Sequence, residues 1–321
     1  MNLRLLLIFG LIAVIGVAWW SAFVIYRAAE LGELVAPLET REWPGLTLVT
    51  VGTGSDYENP ERLGPSTAVA WGDQVVLVDA GRGLCEALRG AKIPTHQPDI
   101  ILLTNLLPHN TVGLDDLLYC GWLRDRIVAP RLIGPPGTRS LAEGLLAAHR
   151  RGAEALGRSL GLAGDGASLR VEEVEDGFEF ELDDVVVRAG ALPGGPLPAL
   201  AWRFGRGRRS IVVSGTGWAP DDLARFAKDT DLFVHEAVYI PPREELEAAQ
   251  VLADPDRLEA EAAIHTGLEA VGELATQAGA RALVLVRLRP PPFAEFQLRG
   301  IVAQTYEGKI HLPEDGDEIR P

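Results

Sequence analysis

The chain has 321 residues, 47% apolar and 23% charged, an ordinary globular composition with room for one large domain or two small ones. Its formal net charge is −15, so nucleic acid is not an expected partner unless the fold gathers a local basic patch. The 35 glycines and 22 prolines, many lying between short apolar runs, argue for strands and loops and against a helical bundle.

The first element is the run LLLIFGLIAVIGVAWWSAFVIY at 5–26, which contains no charge. A helix of that length crosses a hydrocarbon core of about 30 Å. A cleavable signal peptide has a shorter apolar stretch of about 7–15 residues and a small-residue cleavage site. The run here is longer, and no A-x-A-like site follows it. Trp19, Trp20 and Tyr26 suit an interfacial belt. These features predict a transmembrane anchor over 1–27, a juxtamembrane stalk over 28–43 and a folded body over 44–321. Arg4 and the terminal amine flank one side, and Arg27 flanks the other. That balance places the amino terminus inside and the body outside the cytoplasm.

In the body, 46–51, 66–71 and 74–79 read as strands, rich in β-branched residues and separated by glycine turns. A helical pattern follows at 82–89. The continuously apolar DIILLT at 99–104 reads as a buried strand. Helical spacing returns at 112–124, a short strand at 131–134 and a long amphipathic helix at 138–160. Strand patterns then cover 168–174, 178–182, 185–191, 200–204 and 210–214. A helix at 220–229, a strand at 232–235, a helix at 266–278, a strand at 282–286 and a helix at 293–305 complete the chain. Strands followed by helices, twice over, predict two packed sheets with helices outside.

The densest basic stretch, RFGRGRR at 203–209, lies between two apolar runs and predicts a hairpin turn with solvated charges. Cys85 and Cys120 fit no metal-ligand spacing and are expected as two free buried thiols; an extracytoplasmic body would permit a disulfide. His96, His149 and His311 are expected to be exposed.

Several separated motifs resemble those of metallo-β-lactamase-fold hydrolases, in the ribonuclease Z and arylsulfatase-like branch. They are Gly52-Thr53-Gly54-Ser55, Arg62 with Gly64-Pro65-Ser66, and Val78-Asp79-Ala80-Gly81. IVVSGTGW at 211–218, DLFVHEAVY at 231–239 and HTGLEAVGELATQAGARALVLVRL at 265–288 follow in the same order. The resemblance covers about residues 45–305. It implies an α/β (α+β) fold, a four-layer αββα sandwich, preceded here by the transmembrane helix. In active relatives it also implies two zinc ions at one edge of both sheets. Such ions lower the pKa of bound water and clamp the leaving oxygen.

The ligands that the resemblance implies are replaced. The branch's Thr-His-x-His-x-Asp-His loop is matched by Thr104-Asn105-Leu106-Leu107-Pro108-His109-Asn110. Its histidines fall on Asn105, Leu107 and Asn110, and its aspartate on His109. A further histidine falls near Gly194, an aspartate on Thr216 and the last histidine on Arg287. Leu107 has no donor atom, and Asn is a poor exchange for imidazole at zinc. Arg287 stays protonated and repels a dication. No bound metal or other cofactor is therefore expected. Asp79 keeps its place as support for the metal loop.

Glu236 and His265 match a proton-donating pair of the branch, with His235 beside them. A Glu–His pair moves protons without a metal. As structural residues, His235 would hold a strand end and His265-Thr266 would cap a helix. Three functions are expectations at this point. The first is a pseudo-hydrolase that binds a small anionic ligand at His109 and Arg287. The second is a reduced-site phosphodiesterase of the transfer-RNA-processing type, or a sulfatase-type hydrolase. The third is a membrane-tethered interaction domain with an envelope protein partner.

Overall fold

Alternating faces of short apolar strands build the centre of the molecule. In the computed structural model, described for residues 3–55, 59, 61–215, 218–239, 264–289 and 295–321, the chain divides into Met1–Glu39 and Thr40–Pro321. The first unit is dominated by helix α1, Leu3–Val35, so residues 28–35 of the expected stalk are helical. Its segment Ile8–Gly32 is long and apolar enough to cross a bilayer. Arg27 and Glu30 pair at 2.7 Å one turn apart on this helix.

The second unit holds two seven-stranded sheets. The first contains β1 (Trp43–Gly52), β2 (Ser66–Gly72), β3 (Gln74–Val78), β4 (Ile100–Leu102), β5 (Arg131–Gly134) and β6 (Arg170–Glu173). The second contains β7 (Glu179–Leu182), β8 (Val185–Ala191), β9 (Leu200–Arg206), β10 (Arg209–Ser214), β11 (Leu232–Val238), β12 (Ala282–Arg289) and β13 (Lys309–His311). Strand β14 (Asp317–Ile319) returns to pair with β1 at the edge of the first sheet. Each sheet starts as an antiparallel meander and continues with parallel strands.

Period-two alternation sorts the side chains into layers. Val76 and Val78 of β3 face Trp202, Phe204 and Val213 between the sheets, while Val75 and Leu77 point outward. The outward residues pack under α2 (Leu84–Gly90), α4 (Leu114–Trp122) and α5 (Thr138–Leu160). On the other side, Val212 and Phe233 pack under α6 (Pro220–Phe226), α7 (Leu268–Gln277) and α8 (Glu295–Val302). This is the αββα sandwich that the sequence predicts.

Three local expectations change. The helix expected over 112–124 is α4, and a single turn that was not expected, α3 (Pro108–Thr111), precedes it. Strands β13 and β14 escaped sequence reading because three residues are too few to show a period. Cys85 of α2 and Cys120 of α4, expected as free thiols, form a disulfide with Cα atoms 6.7 Å apart. Spacing along the chain could not show that α2 and α4 lie side by side. The basic stretch does form the predicted hairpin: Arg206 pairs with Arg209 across Gly207, whose φ of +57° suits the turn.

Candidate functional site

The carboxyl ends of the parallel strands in both sheets deliver the side chains singled out above. In open α/β sheets this is the edge where ligands bind. Asp79 follows β3, Thr104 follows β4, Gly215 follows β10, and Arg287 lies near the end of β12. Asp79 and Arg287 both have left-handed backbones, with φ of +63° and +57°. Such conformations are costly for non-glycine residues and persist only where the surroundings enforce them.

The enforcement is a buried network. The Arg287 guanidinium forms an ion pair with Asp79 and donates to Asn110 Oδ1 at 3.1 Å and to the Gly215 carbonyl at 3.3 Å. Asp79 also accepts from the Thr104 backbone N–H and hydroxyl, both at 2.8 Å. Asn110 Nδ2 donates to Asn105 Oδ1 at 2.8 Å, and that oxygen also accepts from the Leu107 N–H at 3.0 Å. The Arg287 N–H is fixed on the Thr53 carbonyl at 2.8 Å, which ties the Gly-Thr-Gly-Ser turn to the site. Asp79, Asn105 and Asn110 are fully buried and Arg287 is 2% exposed. Burial pushes the Asp79 carboxyl up, while Arg287 and Thr104 oppose that shift. At Gly215, a side chain would come within 2.7 Å of the Arg287 guanidinium, so the missing Cβ makes room for it.

These residues do not fit a two-zinc centre. Leu107 instead packs its side chain on the apolar layer under α6 and α7. The Asn105 and Asn110 oxygens already accept hydrogen bonds, and a guanidinium sits on the one carboxylate among these positions. Gly194 is exposed in the β8–β9 connection, and Thr216 lies outside the described residues. Among the described residues, one metal-capable group does assemble: Cys85, Asp116 and Cys120, with ligand atoms within 4.8 Å of one another. It spans α2 and α4, and its sulfurs are joined to each other rather than available as thiolates.

Beside the network lies the Glu–His pair. His265 Nδ1 meets Glu236 Oε1 at 2.8 Å, with both side chains almost wholly buried. Burial alone would push Glu236 up, but the His265 hydrogen bond and the charges of His265, His235 and Arg287 hold it below its ordinary value. Glu236 Oε2 and His109 Nε2 are buried without a hydrogen-bond partner among the described residues. His109 is pushed down to about 3, by burial first and then by Arg287 and Arg289. It is therefore neutral and does not attract an anion by charge. Thr266 does not cap α7, as sequence suggested; Gly267 holds the cap position and Thr266 Oγ1 meets His235 Nε2 at 2.7 Å.

His235 is fully buried, stacks on Phe233 with ring centroids 5.3 Å apart, and has its pKa lowered to about 4 by burial. The unfolded chain protonates this imidazole near pH 6.5 and the folded chain only near 4. Its contribution is thus complete above pH 6.5 and is lost as pH falls toward about 4. The expected loss is about 3 kcal/mol. The thermal midpoint should fall over that window, and His235→Gln should flatten the fall. A midpoint independent of pH over this range would contradict the burial of a neutral imidazole.

Sequence reading missed how Asn105 and Asn110 are used. They look like failed ligands, yet they form the hydrogen-bonded chain that seats Arg287. The available signal was that Asn, Asn and Arg stand together where the resemblance puts histidines.

No family model matches the chain. The ribonuclease Z of Mycobacterium sp. (strain KMS) is 30% identical over 278 residues, covering 84% of this chain and 94% of that protein. The chain belongs to the ribonuclease Z family. The ribonuclease Z of Mycolicibacterium gilvum is 29% identical over 281 residues, with the same coverage of both chains. Among solved structures, the metallo-β-lactamase-fold protein YhfI from Bacillus subtilis superposes with a TM-score of 0.65 at 14% identity, covering 86% of this chain and all of that one. The short form of human tRNase Z gives 0.61 at 18% identity, covering 85% and 98%. These neighbours share the metallo-β-lactamase fold. Within this ribonuclease Z homologue, the positions that the resemblance marks as ligands hold Asn105, Leu107, His109, Asn110 and Arg287, and the two asparagines hydrogen-bond in the network of Arg287.

Proposed function

We propose that this chain is a membrane-tethered pseudo-hydrolase of the ribonuclease Z family, which keeps the scaffold and acts by binding rather than by two-zinc hydrolysis. The observation that carries the reading is the Arg287–Asp79 ion pair, enclosed by Asn110, Asn105 and Thr104. A permanent cation at the core of the pocket takes the electrostatic place of a metal ion. Helix α1 supports tethering, with the apolar length to span a bilayer. The Cys85–Cys120 disulfide supports a body on the oxidising, extracytoplasmic side. Arg287 directs its donors to Asp79, Asn110 and Gly215, so this geometry argues against an anionic ligand held by Arg287 in the old pocket. A protein partner in the envelope remains part of the proposal.

Elemental analysis of the purified full chain, with turnover of bis(p-nitrophenyl) phosphate, tests the reading. The expected result is zinc well below one ion per chain and no turnover. Stoichiometric zinc that survives dialysis against a chelator would sink it.

One observation favours a second reading. The Glu236–His265 contact, with Glu236 Oε2 unengaged, is competent for proton transfer. Phosphodiester turnover that His265→Ala abolishes, without loss of folding, would select that reading over the first.

A further inference from the structure

The edge of the sandwich opposite the Arg287 pocket carries a cleft of roughly 730 Å³. It lies where β10, β11 and β12 begin, along β13, and against the end of β14. At about 3.3 Å per residue, the length of β12 separates it from Arg287 by roughly 20 Å. Arg209, Arg281, Arg299, Lys309, His311 and Arg320 line it. The geometry points to a binding site here for a small, multiply charged phosphate anion: a phosphomonoester or a pyrophosphate group.

Three features support this. Register brings the cations together from separate elements. Ala282 pairs with Lys309, and the Lys309 N–H donates to the Arg281 carbonyl, so these two cationic residues sit on adjacent strand ends. Arg209 opens the strand on the far side of β11.

Second, a single buried carboxylate orients two guanidiniums. Asp231, with 5% of its side chain exposed, receives Arg281 at 3.0 Å and Arg209 at 3.4 Å. Those arginine side chains are 70% and 56% exposed. Each guanidinium has five N–H donors in a fixed fork that matches phosphate oxygens. One contact to Asp231 leaves most of them without a protein acceptor among the described residues.

Third, charge is in surplus. Five permanently cationic side chains line the cleft against the carboxylates of Asp231, Asp317 and Glu318. Glu318 is already engaged by Arg41, and Asp317 Oδ2 accepts the Glu314 N–H at 2.9 Å. Arg299 is partly offset by Glu295 at 3.7 Å. The half-buried His311, which sequence places at the surface, has its pKa lowered by burial and then by Lys309 and Arg299. Like charges are therefore crowded in a chain whose net charge is −15. A bound polyanion relieves that crowding and satisfies the free guanidinium donors. A volume of this size suits a small organic ligand.

The phosphate could be carried by a soluble metabolite or by a lipid headgroup. The test is calorimetric titration of the full chain in neutral detergent with inorganic pyrophosphate. It is repeated in phosphatidylcholine nanodiscs with and without phosphatidate. Saturable binding, weakened by added salt and reduced about tenfold or more by Lys309→Glu or Arg281→Glu, is expected. Weaker pyrophosphate binding in phosphatidate nanodiscs than in plain ones would assign the headgroup as the source, and unchanged binding the soluble anion. Absence of binding in every medium overturns the site, as does binding that both charge reversals leave unchanged. Circular dichroism of each variant confirms that the body stays folded, and Arg320→Glu serves if either variant does not.

Discussion

Arg287→Ala is expected to destabilise the body by about 3–5 kcal/mol, the range for removing one partner of a buried ion pair. The cause is the charge left behind. Asp79 is fully buried, and among the described residues Thr104 alone would remain to solvate it. Arg287→Lys should recover only part of the loss, because an ammonium lacks the planar fork that reaches Asp79, Asn110 and the Gly215 carbonyl together. Asp79→Asn should also be destabilising. The double replacement Asp79→Ala with Arg287→Leu should cost less than the two single costs combined, since it strands no charge. Thermal unfolding in neutral detergent measures all four variants. A change under about 1 kcal/mol for Arg287→Ala would remove the ion pair as the organiser of the pocket. Arg287→His should not recover zinc binding, because Asn105, Leu107 and Asn110 stay in place.

Removal of the Cys85–Cys120 link is the second large effect. The bridge closes a loop with a sequence separation of 35. In the chain-entropy account such a loop corresponds to about 3–4 kcal/mol of stability. The paired replacement Cys85→Ser with Cys120→Ser should therefore lower the thermal midpoint, and reductant should lower that of the native chain but not of the double variant. The bridge joins α2, which follows the Asp79 turn, to α4, which follows the Asn105–Asn110 loop. Its loss should loosen the pocket even though neither sulfur enters it. Maleimide labelling of whole cells without reductant gives a separate check. Free thiols on both cysteines would contradict the disulfide and, with it, the extracytoplasmic placement of the body.

Much of this molecule is legible in its sequence. The long helix at Thr138–Leu160 has the bounds its apolar period gives. Strands β3 and β10 lie where their β-branched runs placed them. The glycine motifs carried the family because they mark places where backbones touch. At Gly113, for example, a Cβ would lie 2.0 Å from the Gly81 carbonyl. Strands β13 and β14 and the turn α3 were not legible, since a period needs more residues than they contain.

Sequence alone determined that the positions which the resemblance marks as zinc ligands carry other chemistry, because donor capacity belongs to the residue type: Leu has no donor and Arg has no lone pair to give. It also determined the long apolar amino-terminal helix and the two-sheet core, since both are written in local hydrophobic pattern. How those residues are used was decided only in three dimensions. Arg287 and Asp79 lie on different sheets, and their pairing depends on Asn110, Gly215 and the Thr53 carbonyl arriving from three further loops. The disulfide and the cationic cleft were hidden for the same reason. Their members are distant along the chain, and contact between distant residues is fixed by packing, on which local pattern is silent.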